Sequence, residues 1–383
     1  MIHRISLRFF SSDVPVLSKY SRHLCHVKLN RPKSLNSMNI EMFDVLMQNL
    51  KDWDQDKDTC AVLVTGEGEK AFSAGGDIKS VYEAKQKDPK STLPSIFFRK
   101  EYVTDYGFAR MRPIQISVWD GITMGGGAGI TIHSPIRIAT ERSIFAMPEC
   151  GIGLYPDVGS SYFLSRLPGS LGLYLAVTGS RLNSTELVQA GVATHYVPSD
   201  RIADLTEQLI EKVNPHTNVV GIKKLVDKFA EKVDENNSFY EEIEKHFGGV
   251  TSLEEIHTRC AASQSNFGKK TYQDLMKLSP VSQKVAFEQI RRGIQMSLEE
   301  VFTMEYRISM NFAAGDDVYE GVRAILVDKD KCPKWSFKSV FEVPDKLIMQ
   351  YFERPSSPDF KDLYVRSELR KFLEMKRDYI ITT

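Results

Sequence analysis

Residues 25–29 alternate apolar and polar side chains with the two-residue period of a half-buried strand. A break rich in Pro and Asn follows at 30–36. Asn39 is then placed to cap a helix in which Ile40, Phe43, Leu46, Met47, Leu50 and Trp53 recur at helical spacing, the mark of a core-facing stripe. Residues 61–65 and 114–118 read as strands, as do 137–140 and 143–147 on either side of a turn at Glu141 and Arg142. A loop at 88–94 precedes a helix-like stretch at 97–106. This strand-then-helix rhythm predicts an α/β class. From Leu205 the strand alternation stops, and charged helical segments dominate, separated by breaks at 214–218 and 247–251. Residues 182–186 read as a capped helix start. The pattern predicts a fold beginning near His23, an α/β core over 23–204, a helical region over 205–350 and a tail over 351–383. Within the tail, 354–359 reads as a linker and 367–377 as a basic amphipathic helix that docks on this chain or on a partner.

Two strands run into glycine loops. The first loop is AFSAGGDI at 71–78, and the second is WDGITMGGGAG at 119–129. Consecutive glycines let the backbone turn with nothing projecting from it. If Gly125, Gly126 and Gly127 open a helix, their N–H groups are unpaired first-turn donors that stabilise a negative oxygen. One N–H from each loop, aimed at one oxygen, makes an oxyanion hole. An ordinary glycine-rich turn is the other reading. Asp77 suits a helix cap, and Lys79, one turn on, reaches a phosphate or solvent.

With MPE at 147–149, the two loops resemble the enoyl-CoA hydratase/isomerase (crotonase) superfamily. The string FAMPECGIGLYPDVG at 145–159 is similar to the hydrolase branch of that superfamily, whose substrate is 3-hydroxyisobutyryl-CoA. FRKEY at 98–102 and the segments 278–282, 297–307 and 319–330 extend the resemblance over about residues 26–335. It implies a crotonase (ClpP/crotonase-like) spiral of ββα units followed by a mainly helical C-terminal region. It implies oxyanion donors at Gly76 and Gly126, and catalytic carboxylates at Glu149 and Asp157. The substrate would be lined by Ala74, Ile78, Glu101, Gly126, Glu149 and Asp157, with Lys329 and Lys334 near CoA phosphates or in solvent. The implied reaction is thioester hydrolysis of a 3-hydroxyacyl-CoA in valine degradation, with no cofactor beyond the CoA of the substrate and no metal. Attack by Glu149 to give an anhydride and general-base hydrolysis both remain open. The hydratases of this superfamily carry an acid just after the central glycine loop, where this chain has Ala128 and Gly129. Hydration, which benefits from two acids, is therefore expected to be poor.

Composition adds limits. At 383 residues the chain is long enough for one or two domains, and 42% apolar with 26% charged residues is ordinary for a globular protein. Lys+Arg and Asp+Glu are both 50, which argues against a whole-protein basic footprint for nucleic acid. No apolar run has the length of a membrane span. The five cysteines are scattered and form no C-x-x-C pair, so neither a disulfide framework nor a zinc site is predicted. Cys150 reads as a small buried thiol. Residues 1–12 carry Arg4, Arg8, serines and no acid, the composition of a mitochondrial transit peptide, which assigns 1–22 to targeting and the mature chain to the matrix. G-x-S-x-G, H-E-x-x-H and P-loop motifs are missing. A homo-oligomer is compatible with the sequence. The rival to an enzyme is a catalytically silent scaffold in a mitochondrial complex such as the mitoribosome.

Overall fold

A computed structural model describes residues 14–233 and 238–375. The targeting segment proposed for residues 1–12 lies outside the described residues. Among the described residues ten strands form two sheets: β1 (Val16–Ser21), β2 (Leu24–Leu29), β3 (Ala61–Gly66), β4 (Ala71–Ser73), β5 (Ile114–Trp119), β6 (Ile122–Met124), β7 (Ile136–Ala139), β8 (Ile144–Ala146), β9 (Leu182–Asn183) and β10 (His195–Tyr196). The larger sheet has the order β1-β2-β3-β5-β7-β10 and the smaller β4-β6-β8-β9. Three successive strand pairs, β3/β4, β5/β6 and β7/β8, each give one strand to each sheet. That is the expected ββα spiral, parallel within each sheet except where β1 joins β2 and β9 joins β8.

The fold begins earlier than His23. β1 pairs with β2 along its whole length, from Val16 opposite Leu29 to Ser21 opposite Leu24, so part of 1–22 belongs to the sheet. Its signal is faint because β1 is an edge strand with only Val16 buried, and its order comes from its neighbour.

The alternation of β3 assigns its side chains to two cores. Val62 and Val64 join the large core, while Ala61 and Leu63 join a smaller one on the other face. There they meet Ile116, Val118 and Ile138 from the sheet, with Leu205, Leu209, Ile222 and Val226 from the first helices beyond residue 200. A strand covered on both faces reads as a continuous apolar run, which is why 61–64 shows no polar positions.

The large core is built on α1 (Ile40–Gln55) and α3 (Leu93–Arg110), with α2 (Ile78–Lys87) beside them. Asn39 caps α1 by accepting from the Met42 N–H at 3.0 Å. Phe43, Leu46 and Trp53 are fully buried, each worth about 1.5–3 kcal/mol of apolar transfer. α3 is longer than the sequence suggested because Leu93 and Pro94 start it within the expected loop, Pro fitting a first turn where its missing N–H costs nothing. The capped start near 182–186 is a full capping box of Asn183 and Glu186.

Helices from the C-terminal region complete the same core: Leu298, Phe302, Tyr306 and Phe312 lie in it with Phe43, Phe97 and Tyr102. The tail helix, Val365–Glu374, docks on this chain. Val365 and Leu369 are buried, and Arg99 meets Glu368 at 3.3 Å. The buried Lys51 of α1 donates to the carbonyls of Phe372 and Met375, covering the helix's unpaired C-terminal acceptors. The last two residues of the expected helix, Lys376 and Arg377, lie outside the described residues. Among the described residues no helix is long and apolar enough to cross a membrane.

Candidate active site

Both glycine loops arrive at one place because the strands before them, β4 and β6, are parallel neighbours. A Cβ placed on Gly126 would lie 3.3 Å from the Gly76 nitrogen. Gly126 opens the four-residue helix α4 (Gly126–Gly129), so its N–H is a first-turn donor without an intrahelical partner. The neighbours of Gly76 are tied to Met38, which bridges Gly76 in parallel: Met38 donates to the Gly75 carbonyl and Asp77 donates to the Met38 carbonyl, both at 2.8 Å. That leaves the Gly76 N–H facing the other loop. A side chain at Gly126 would run into Glu101 Oε1, and one at Gly76 would come within 2.9 Å of it. Here glycine serves close approach.

Glu101 therefore stands over both amides, reaching in from α3. Glu149 stands beside them at the head of a 3₁₀ turn, Glu149–Ile152, with Oε1 3.0 Å from where a Gly125 Cβ would be. Its Oε2 is buried without a hydrogen-bond partner among the described residues. Asp157, past that turn, accepts from the Tyr102 hydroxyl at 2.8 Å. Ala74 and Ile78 flank the Gly75–Gly76 corner. Ala74 donates to the Leu35 carbonyl at 2.9 Å, and Ile78 faces an apolar patch with Phe98, Leu154 and Val322. The expected site residues thus come together. Lys329 and Lys334 are exposed on the loop after residue 327, and Lys79 is an exposed residue pairing with Glu83 at 3.5 Å. Asp77 differs from its expected role. It precedes α2, but makes no cap bond, because its carboxylate takes the guanidinium of Arg31 at 3.1 Å. Cys150 is a buried thiol whose pKa burial pushes well up, as expected of an inert residue.

Two further acids belong to the cluster. Asp105, one helical turn beyond Glu101, is buried, and neither of its carboxyl oxygens has a hydrogen-bond partner among the described residues. It lies against Gly129: a Cβ there would meet Asp105 Oδ2 at 2.7 Å. Position 129 carries no acid of its own, but α3 brings one alongside it. Glu305, from the Leu298–Ala314 helix, accepts from the N–H groups of Gly159 (2.6 Å) and Ser161 (2.9 Å) and from the Ser161 hydroxyl (2.7 Å). Glu101, Asp105, Glu149, Asp157 and Glu305 are all between 0% and 6% exposed. Burial, first among the causes, raises the pKa of every one. Asp157 is brought to about 7 against the opposing Tyr102 hydrogen bond, and Glu305 to about 8 against its three donors. Glu101, Asp105 and Glu149 stand well above the usual range, each also feeling the Asp157 charge. Such a cluster holds protons at neutral pH, which suits carboxyls that must both take and give one. A groove of about 860 Å³ between the Leu298–Ala314 and Val365–Glu374 helices contains none of these acids.

The sequence carried a signal for Asp105 and Glu305 that a strand-and-loop reading passes over. Glu101 and Asp105 are spaced i,i+4 on a helix whose neighbours Phe97, Phe98 and Tyr102 are buried. Glu305 likewise sits between the buried Met304 and Tyr306. An acid in an apolar stripe is either paired or functional.

An enoyl-CoA hydratase/isomerase family model matches residues 24–352. A 3-hydroxyisobutyryl-CoA hydrolase, mitochondrial, of Danio rerio is 42% identical over 344 residues, covering 88% of each chain. One of the same description from Xenopus laevis is 42% identical over 347 residues, again covering 88% of both. Among solved structures, a carnitinyl-CoA dehydratase of Mycobacterium thermoresistibile superposes with a TM-score of 0.82 at 31% identity, covering 91% of this chain and 98% of its own. The chain belongs to the enoyl-CoA hydratase/isomerase family.

Proposed function

We propose that this protein hydrolyses the thioester of 3-hydroxyisobutyryl-CoA, or of a closely related short 3-hydroxyacyl-CoA, as a mitochondrial matrix enzyme of valine degradation. The observation that carries the reading is the meeting of the Gly76 and Gly126 loops beside Glu149, whose Oε2 is buried and unpartnered. The names of the similar proteins from Danio rerio and Xenopus laevis point to the same substrate and compartment.

The thioester oxygen would lie between the two amides, which stabilise the negative charge it gains when the carbonyl carbon becomes tetrahedral. Glu149 then has two routes. It removes a proton from a water that adds to the carbonyl carbon, or it attacks that carbon itself and water opens the resulting anhydride. On either route the C–S bond breaks, and the departing CoA sulfur takes up a proton. The raised pKa of Glu149 makes it a stronger base when ionised and a competent acid when protonated. Asp157 binds the acyl hydroxyl or orients the water, and Glu101 lines the acyl group over the amides. The reaction as proposed takes no cofactor, since CoA is part of the substrate.

Thiol release from 3-hydroxyisobutyryl-CoA tests this reading, with turnover expected from the folded protein. A well-folded preparation inert on this and related thioesters would favour the scaffold role instead. Removing residues 1–12 is expected to abolish mitochondrial import while leaving activity intact; undisturbed import of a tagged truncation would contradict the targeting assignment.

A further inference from the structure

The backbone that presents Asp157 is held in an unfavourable shape. Val158 has φ +55° and Gly159 φ +83°, so two successive residues are left-handed and the first is β-branched. A β-branched residue in that region is a true outlier, and conformations of this kind persist only where the surroundings impose them. The Leu298–Ala314 helix supplies the restraint. Both Glu305 carboxylate oxygens take donors from the strained pair and the residue pair after it, Oε2 from the Gly159 N–H and Oε1 from the Ser161 N–H and hydroxyl. Gln289 adds a bond to the Pro156 carbonyl at 2.6 Å, on the other side of Asp157.

One turn along the same helix, Ser309 addresses the side chain. The single Tyr102 proton goes to Asp157 Oδ2, because a carboxylate only accepts. The 2.6 Å contact between Tyr102 and Ser309 must then be a bond that Ser309 donates. Tyr155 closes the network with one proton shared between the Glu305 carbonyl at 2.5 Å and Ser309 Oγ at 2.8 Å. A donor to the Tyr102 oxygen polarises that hydroxyl and strengthens its own donation to Asp157.

We propose that Glu305 and Ser309 are positioning residues for Asp157: Glu305 clamps the strained backbone that carries it, and Ser309, through Tyr102, orients and charges its carboxylate. The inference rests on the functional reading above, in which an ionised Asp157 meets the acyl hydroxyl or the water. It makes the C-terminal helical region part of the active site. The groups acting on Asp157 are Glu101, Tyr102 and Asp105 from α3, Glu149 and Tyr155 from the segment before it, and Glu305 from the Leu298–Ala314 helix. Burial, the largest cause, opposes its ionisation, while the Tyr102 hydrogen bond and a backbone hydrogen bond at Asp157 favour it.

The test is the pH profile of kcat/KM for thiol release from 3-hydroxyisobutyryl-CoA, measured for Tyr102→Phe, Ser309→Ala, their combination and Glu305→Gln. Losing a donor to Asp157 raises its pKa, so the acid limb is expected to move up by about one pH unit in Tyr102→Phe and by less in Ser309→Ala. The double variant should match Tyr102→Phe alone, since Ser309 acts through that phenol. Glu305→Gln sets an N–H₂ against a backbone N–H, so kcat is expected to fall at least tenfold. Carbon-13 NMR titration of the Asp157 carboxyl, assigned with Asp157→Asn, provides a readout independent of turnover and should show the same ordering. Lower Tm with an unmoved limb and an unmoved Asp157 titration in Tyr102→Phe and Ser309→Ala would overturn the proposal. If the wild-type chain released no thiol, the functional reading would fail, and the NMR ordering alone would decide the inference.

Discussion

The two halves of the site are built from different materials. The sheet half contributes backbone: two N–H groups, at Gly76 and Gly126, aimed by parallel strands and bare of side chains. The helical half contributes acids: Glu101 and Asp105 from α3 and Glu305 from the Leu298–Ala314 helix, all buried and all raised in pKa by burial. Glu149 and Asp157 lie on the segment between them. Backbone donors are fixed by the fold and cost no reorganisation when charge develops. Buried carboxyls are costly to ionise and persist only where a network or a function retains them. The first half should therefore be sensitive to shape and the second to pH.

Glu149→Gln separates chemistry from binding. It keeps the volume and removes the basic oxygen, so kcat is expected to fall by about 10²–10⁴-fold while CoA binding, followed by calorimetry, survives. Near-normal turnover would mean that the chemistry lies elsewhere. Gly126→Ala attacks the other half by pushing a methyl into Glu101 Oε1 and toward the Gly76 amide. Loss of donor alignment is expected to cost about 10²–10³-fold in kcat, with little of the pH shift that a carboxylate variant gives. Asp157→Asn should lose about tenfold more on 3-hydroxyacyl than on plain acyl thioesters, the worth of one hydrogen bond to a charged group; equal losses would assign Asp157 to the water.

Asp105→Asn sharpens the pH contrast through stability. A carboxyl whose pKa is raised in the folded state stabilises the fold below its unfolded pKa of about 4, and that stability is lost as pH rises toward the folded value. The amide cannot ionise. Urea midpoints of the variant and the wild type should therefore lie closest near pH 4 and diverge progressively up to pH 8, with the variant the more stable. The same difference at both pH values would show that burial of Asp105 is not what sets its protonation.

The glycine loops and the acids at 149 and 157 were legible because their signals are local, and Glu101 was legible through the resemblance carried by FRKEY at 98–102. A strand entering consecutive glycines is a contiguous pattern, and so is MPE at 147–149 with Asp157 a few residues on. The rest of the second half is written at long range. Glu305 reaches residues 159 and 161 across more than 140 positions, and nothing near Glu305 in sequence names its partners. Asp77 shows the same limit: a sound local expectation of a helix cap gave way to Arg31, which tertiary structure brings alongside. β1 was passed over because an edge strand with one buried residue has almost no period to detect. The tail helix was recognised by its amphipathic pattern, but its berth on α1 and α3 depends on the buried Lys51 and on Arg99, two cations indistinguishable in sequence from solvated ones.

On the proposed mechanism two amides and Glu149 suit this site to thioester hydrolysis, and the glycine at position 129 leaves hydration poor for want of a second acid there. One preparation, offered 3-hydroxyisobutyryl-CoA and crotonyl-CoA side by side, tests it most directly by comparing thiol release with loss of the conjugated absorbance. Hydrolysis should exceed hydration in kcat/KM by at least about 10²-fold, the usual worth of one missing acid–base group. Comparable efficiencies on the two substrates, with hydration then collapsing in Asp105→Asn, would contradict the account: the carboxyl that α3 sets against Gly129 would be the second acid of a hydratase.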